Sequence, residues 1–202
     1  KIGPLSSQAF AVVIQQDGKI VVVGTTNTEE SGKNIALVRY NVDGELDISF
    51  GFGGIVTTSI SQTPSFASSA ALQLDGKIIV AGHFSNGTDN DIAVLRYNQD
   101  GSLDKHFGTN GIVKNSIGLG DDQAQGVVVQ VDGKIIVAGS SRNTENYFDI
   151  AAVRYDKDGT LDIDFGINGS VTTAVTQRVG EMVDRDDHAA GIALQFDEKI
   201  II

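Results

Sequence analysis

Gln16-Asp17-Gly18-Lys19-Ile20-Val21-Val22-Val23-Gly24 recurs as Leu74-Asp75-Gly76-Lys77-Ile78-Ile79-Val80-Ala81-Gly82 and as Val131-Asp132-Gly133-Lys134-Ile135-Ile136-Val137-Ala138-Gly139, and a fourth copy opens at Phe196-Asp197-Glu198-Lys199-Ile200. The aspartates stand 58, 57 and 65 residues apart. Self-similarity at such a period marks a tandem array, in which each unit buries its apolar face against the next. Within each copy, an apolar stretch such as Ala11-Val12-Val13-Ile14 meets the run after Lys19 across Asp17-Gly18. This pair predicts a hairpin with a type I′ turn, which places both central residues at positive φ. The Ile-Val-Val-Val and Ile-Ile-Val-Ala runs show no polar alternation, so each reads as a strand covered on both faces.

Farther along, Ile35-Ala36-Leu37-Val38-Arg39-Tyr40 recurs as Ile92 to Tyr97 and Ile150 to Tyr155. Its apolar start and Arg-Tyr finish predict an outer or edge strand. A second Asp-Gly turn follows at Asp43-Gly44, Asp100-Gly101 and Asp158-Gly159, then Leu-Asp, Phe-Gly and a short strand such as Gly54-Ile55-Val56-Thr57-Thr58. Four antiparallel strands in about 57 residues describe a propeller blade rather than a solenoid rung, which is shorter. The expected fold is all-β, a β-propeller whose blades span about 9–64, 65–121 and 122–186, with a partial fourth at 187–202. Gly51, Gly108 and Gly166 are expected to bend the chain into the last strand, and Phe50, Phe107 and Phe165 to anchor one blade on the next.

The order Gln-x-Asp-Gly-Lys-Ile-x-Val-x-Gly, Arg-Tyr, Asp-Gly, Leu-Asp, Phe-Gly and Gly-x-Val resembles the delta-60 repeat family of bacterial β-propellers. The resemblance covers nearly the whole chain. It implies the propeller fold and a surface or extracellular bacterial setting, and it offers no catalytic residues to carry over, since the family has no established common activity.

Composition narrows the function. Among 202 residues, 26 acidic against 15 basic side chains give a net charge of −11, which opposes nucleic acid and anionic membrane surfaces. There is no cysteine, hence no disulfide, thiolate metal site or cysteine nucleophile. Aromatic content is 6%, tryptophan is absent, and no apolar run approaches the roughly 20 residues of a membrane-spanning helix. Lys1-Ile2-Gly3-Pro4-Leu5 does not read as a signal peptide. Three repeats and the start of a fourth do not close a ring of about 4 to 8 blades, so the expectation is a homodimer or a fragment of a longer chain.

Two candidate sites stand out. Asp43 and Asp47, Asp100 and Asp104, and Asp156, Asp158 and Asp162 place oxygens at alternating positions around a glycine, as a shortened calcium loop would; the same letters also cap their own turn. The cofactor expectation is therefore none, with calcium as the one candidate. Asp184, Arg185, Asp186, Asp187 and His188, in the longer connection before the fourth copy, combine acid, base and imidazole for ligand binding, metal coordination or proton transfer, against a solvated polar loop as the alternative. His83 and His106 lack a second histidine at ligand spacing and read as structural or exposed.

No phosphate loop, nucleophile elbow or zinc-protease helix is present, and Gly51-Phe52-Gly53-Gly54 reads as a blade corner because a strand follows it. Arg39, Arg96 and Arg154 recur in every unit and read as packing. A single site needs only one copy, so positions that differ between units carry the function: loops 25–34, 83–91 and 140–149, rich in Asn, Thr, Ser and Asp. The expected function is a non-catalytic binding scaffold for a protein or carbohydrate. The alternatives are a propeller glycan hydrolase or lyase using acidic loop residues, and a structural spacer of a bacterial surface protein.

Overall fold

A computed structural model describes residues 6–28, 32–175 and 186–202. All regular structure in these residues is β. The first blade is β1 (Ser7–Ile14), β2 (Ile20–Thr28), β3 (Gly32–Tyr40) and β4 (Ile55–Thr58). The second is β5 (Ser65–Leu72), β6 (Ile78–Ser85), β7 (Asn90–Tyr97) and β8 (Ile112–Asn115), and the third is β9 (Asp122–Val129), β10 (Ile135–Arg142), β11 (Phe148–Tyr155) and β12 (Ser170–Thr173). Each is a four-stranded antiparallel sheet in chain order. A two-stranded sheet, β13 (Ala193–Leu194) and β14 (Ile200–Ile201), opens the fourth repeat, and the array is not a closed ring. The first strand β5 packs against both β1 and β9, the first strands of its neighbouring blades.

Antiparallel order gives each blade two distinct ends. The turns between first and second strands and between third and fourth strands share one, here the turn end. The connections between second and third strands and between blades share the other, the loop end.

Two expectations change. The Asp-Gly hairpins are not type I′: of Asp17 and Gly18 only the glycine has positive φ (81°). Gly18 N–H donates to Gln15 O at 2.9 Å and Gln15 N–H to Lys19 O at 2.8 Å, a three-residue loop ending in a left-handed glycine. The aspartate favours it by accepting the Lys19 N–H on Oδ1 at 3.2 Å. The third strand is not an edge either. β3 lies between β2 and β4, and Asn34 to Arg39 are all buried, because its Arg-Tyr end enters a blade–blade seam rather than solvent.

Each first strand carries a bulge, at Phe10, Ser68 and Gln125, opposite Gly24, Gly82 and Gly139. The bulged backbone presses onto the glycine: a Cβ on Gly82 would lie 1.8 Å from Phe66 O. This close approach, not turn chemistry, accounts for the glycine that ends every Ile-x-Val-x-Gly run.

The apolar core forms two clusters, each spanning a seam. Phe50, Val21 and Leu37 of blade one join Ile78, Leu95 and Tyr97 of blade two; Phe107, Ile79 and Val94 of blade two join Ile135, Val153 and Tyr155 of blade three. The seams are locked at the turn end by a repeated device. The turn Gln99-Asp100-Gly101 docks on blade one, where Arg39 Nη1 donates to Gln99 O and Gly51 N–H donates to Asp100 O at 2.8 Å. Any side chain on Gly101 would meet Phe50. Lys157-Asp158-Gly159 docks identically on Arg96, Phe107 and Gly108. At blade three, the matching arginine, Arg154, has a side chain 21% exposed against 7% for Arg39, and Phe165 is half-buried where Phe50 and Phe107 are fully buried. Phe50 and Phe107 are thus seam residues.

Candidate functional site

The turn end is the same in every blade. Arg39, Arg96 and Arg154 place Nε 2.7, 2.8 and 2.6 Å from Asp47, Asp104 and Asp162 Oδ2, and the same oxygens take Lys19, Lys77 and Lys134 at 3.0, 3.1 and 2.7 Å. Each guanidinium also lies about 4.5 Å from the ring centre of Phe50, Phe107 or Phe165. The Ser49 hydroxyl and then Lys19 pull the Asp47 carboxyl well below the usual range. For Asp104, burial pushes upward, but the His106 N–H, Lys77 and Arg96 together outweigh it.

These are three of the seven carboxylates singled out for calcium. The positive charge that calcium would supply is supplied at Asp47, Asp104 and Asp162 by a lysine and an arginine. Asp43, Asp100 and Asp158 accept the N–H two residues on, at 3.0, 2.9 and 2.9 Å, and Asp156 takes Lys134 at 3.2 Å. Among the described residues no group of three histidine or acidic side chains is placed to hold a metal ion. His106 is exposed beside Asp104.

Of the second candidate cluster, Asp184 and Arg185 lie outside the described residues. Asp186 Oδ1 accepts Phe148 N–H at 2.8 Å, Asp187 Oδ2 accepts Val175 N–H at 2.7 Å, and His188 packs on Phe148 with ring centres 4.9 Å apart. The described part of the cluster thus ties the fourth repeat to blade three. Asp121 and Asp122 do the equivalent one seam earlier, on Asn90 and Ile117.

Asp122 occupies the position of Ser65 in the preceding blade and, unlike that serine, carries a charge into a fully buried place. Among the described residues its Oδ1 has no hydrogen-bond partner, and burial raises its pKa above the ordinary 3.8 against the opposing pull of Ser141 and the Ile117 and Gly118 N–H groups. An acid whose folded pKa is raised binds its proton more tightly folded than unfolded. Its contribution to stability therefore declines as pH rises from about 4 through the raised value. The melting temperature of the natural protein should fall, relative to that of Asp122→Ser, as pH is raised from 4 to 7; parallel curves would show the buried carboxyl to be fully compensated.

The loop end differs from blade to blade. After the recurring strand glycine stand Thr25, His83 and Ser140; two residues later come Asn27, Ser85 and Arg142; the third strands pair these with Lys33, Asn90 and Phe148; and the first strands present Gln8, Phe66 and Gln123. Between blades one and two these residues line a cavity of about 370 Å³, formed by Ser6, Ser7, Gln8, Phe10, Thr25, Asn27, Lys33 and Phe66. Phe10, pushed outward by its bulge, is 48% exposed. Phe66 stacks on His83 with centroids 4.8 Å apart, and Lys33 Nζ sits 4.6 Å from the Phe66 centroid. Burial lowers the His83 pKa, which keeps the imidazole neutral. Asn27 Nδ2 donates to Ser6 Oγ at 2.8 Å, and Ser7 and Thr26 share a hydroxyl contact at 3.0 Å.

Loop 25–34 was legible as a place to look, but Phe10 was not. Its column reads Phe10, Ser68, Gln125, and only the bulge turns that position outward.

Three segments, residues 15–50, 73–107 and 130–165, match the family described as "Domain of unknown function (DUF5122) beta-propeller". The chain belongs to this family. The DUF5122 segments begin in each first Asp-Gly turn and end at the phenylalanine of the Phe-Gly corner, so they enclose the lysine, arginine, aspartate and phenylalanine of the turn end and the whole of the second and third strands. The β-propeller assignment implied by the motifs thus stands, while the narrower delta-60 name rests on the motifs alone. No curated protein matches the sequence. Among solved structures, a fucose lectin from Kordia zhangzhouensis, described in complex with methyl-fucoside, is similar to the DUF5122 chain with a TM-score of 0.46 and 13% identity, covering 83% of this chain and 99% of that one. No helix of the described residues is long and apolar enough to cross a membrane.

Proposed function

We propose that this chain is a non-catalytic binding propeller that presents its loop end to a polar ligand, a carbohydrate ahead of a protein, in an extracellular or cell-surface setting. The observation that carries the reading is the segregation of constant from variable side chains. Arginine, lysine, aspartate and phenylalanine repeat at the turn end, where they bind one another. The side chains that change gather at the loop end around a cavity within the size range of small-molecule sites, about 300–1,000 Å³. Its lining combines aromatic rings with hydroxyl and amide groups, which suits a ligand with both C–H faces and O–H edges.

A glycan array probed with the purified protein, in parallel with the double variant Gln8→Ala/Asn27→Ala, tests this. The expected result is retention of one class of glycan that the variant loses, at an unchanged melting temperature. Retention that is indifferent to the double substitution would move the site elsewhere, and an array without signal would count against a carbohydrate ligand.

A further inference from the structure

The loop-end cavity carries a chemical signature beyond polarity. The chain bears 26 acidic residues and a net charge of −11, yet among the described residues no aspartate or glutamate lines this cavity. Among the described residues its one charged lining group is Lys33, and no described carboxylate lies within 4 Å of it. The lysine of every Asp-Gly-Lys or Asp-Glu-Lys turn, by contrast, is paired: Lys19 with Asp47, Lys77 with Asp104, Lys134 with Asp162 and Lys199 with Asp197. The Lys33 ammonium is held over the Phe66 ring, and Phe66 is held in turn by stacking on His83. Positive charge is thus fixed at the edge of a cavity that also exposes the ring of Phe10.

We infer that this cavity binds an acidic saccharide, with the sugar ring lying on Phe10, its hydroxyls on Gln8, Asn27 and the serines, and its carboxylate on Lys33. The inference rests on the binding-module reading above and narrows its ligand. An ammonium–carboxylate contact forms charge-assisted hydrogen bonds, which are shorter and stronger than neutral ones. The general field of a protein of this charge repels anions, so local recognition depends on Lys33 and is sensitive to salt. Cation–π contact keeps the ammonium in place without neutralising it, whereas a protein carboxylate would occupy the ligand's position. Neither of the other two complete blades repeats the arrangement. The residue equivalent to Lys33 is Asn90 in blade two and Phe148 in blade three, and the bulge residue equivalent to Phe10 is Ser68 or Gln125.

The test uses oligogalacturonates and oligoglucuronates as probes, each against its methyl ester, which keeps ring, linkage and hydroxyls and removes the charge. Titration calorimetry at low salt is expected to show at least one acid form binding about tenfold or more tighter than its ester, with the difference shrinking as salt is raised. Lys33→Gln should bring acid and ester to equal affinity, chiefly by weakening the acid form, and Phe10→Ala should weaken both forms. Both side chains are exposed, and unchanged melting temperatures would confirm that the variants fold. Equal affinity for acid and ester, or a preference that survives Lys33→Gln, overturns the acidic-saccharide inference while leaving a neutral carbohydrate open to the array above. Binding of neither form overturns it as well.

Discussion

Phe107→Ala is expected to destabilise the protein by about 3–5 kcal/mol, the range for truncating a fully buried aromatic side chain. Phe107 is wholly enclosed, lies under the Arg96 guanidinium at 4.6 Å, and meets the left-handed Gly159 of the next blade so closely that a Cβ there would stand 2.9 Å from its ring. Truncation removes ring contacts on both sides of the seam, and two backbones locked by the Gly108–Asp158 hydrogen bond limit any collapse into the space. Phe165→Ala removes the same atoms from an equivalent corner that is only half-buried, and its cost should be about 1–2 kcal/mol. Urea unfolding of the two variants side by side measures the contrast. Equal losses would mean that the phenylalanine stabilises its own blade and not the seam.

Asp104→Ala is expected to cost a comparable amount, about 3–5 kcal/mol, because it strips a buried guanidinium of its counter-ion. Arg96 Nε and Lys77 Nζ both rest on one oxygen of Asp104, and the other oxygen accepts His106 N–H at 3.1 Å. Lys77 can swing into water; Arg96, 8% exposed and pinned to Lys157 O, cannot. Asp43→Ala, four residues upstream of the equivalent Asp47, removes only an exposed turn cap and should cost about 0.5 kcal/mol.

Asp104 also predicts an acid limb. Its folded pKa is depressed, so its contribution is complete above an unfolded pKa near 4 and is lost as pH falls through that value toward the folded one. Thermal melts between pH 5 and 2 should show the natural protein losing stability more steeply than Asp104→Asn. The same slope in both would place the acid sensitivity elsewhere. Asp122, whose pKa moves the other way, opposes this trend between pH 4 and 7, so the two aspartates can be separated by pH alone.

Architecture was legible in the chain because a repeated unit states its pattern three times. Strand count and order follow from Asp-Gly, Arg-Tyr and Phe-Gly recurring in register. What failed was local. Asp17-Gly18 between apolar runs resembles a two-residue turn, and only the pairing of Gln15 with Lys19 shows the longer loop, since the residues flanking a hairpin do not announce which of them are bonded. The Arg-Tyr strand end looked solvated because charge usually is, yet Arg39 meets Asp47 from eight residues on and a carbonyl from sixty on. The coincidence of Lys19, Arg39 and Asp47 in every repeat, two cations and one anion at constant spacing, was a readable signal of that internal pairing.

The loop-end cavity was half legible. Variation between repeats directed attention to residues 25–34, but Phe10 belongs to a different stretch and is turned outward by a backbone bulge that no side-chain pattern encodes. The junction residues Asp186 to His188, letters suited to chemistry, also fasten the fourth repeat to blade three.

Because every latch is split, with arginine, phenylalanine and glycine on one blade and the answering turn on its successor, each unit carries both a complete plug and a complete socket. A gene encoding such units can gain or lose one without exposing a mismatched latch at the turn end. Divergence is then free at the opposite end, where a single member of the series can acquire a Lys33 or a Phe10 while its siblings keep the array together.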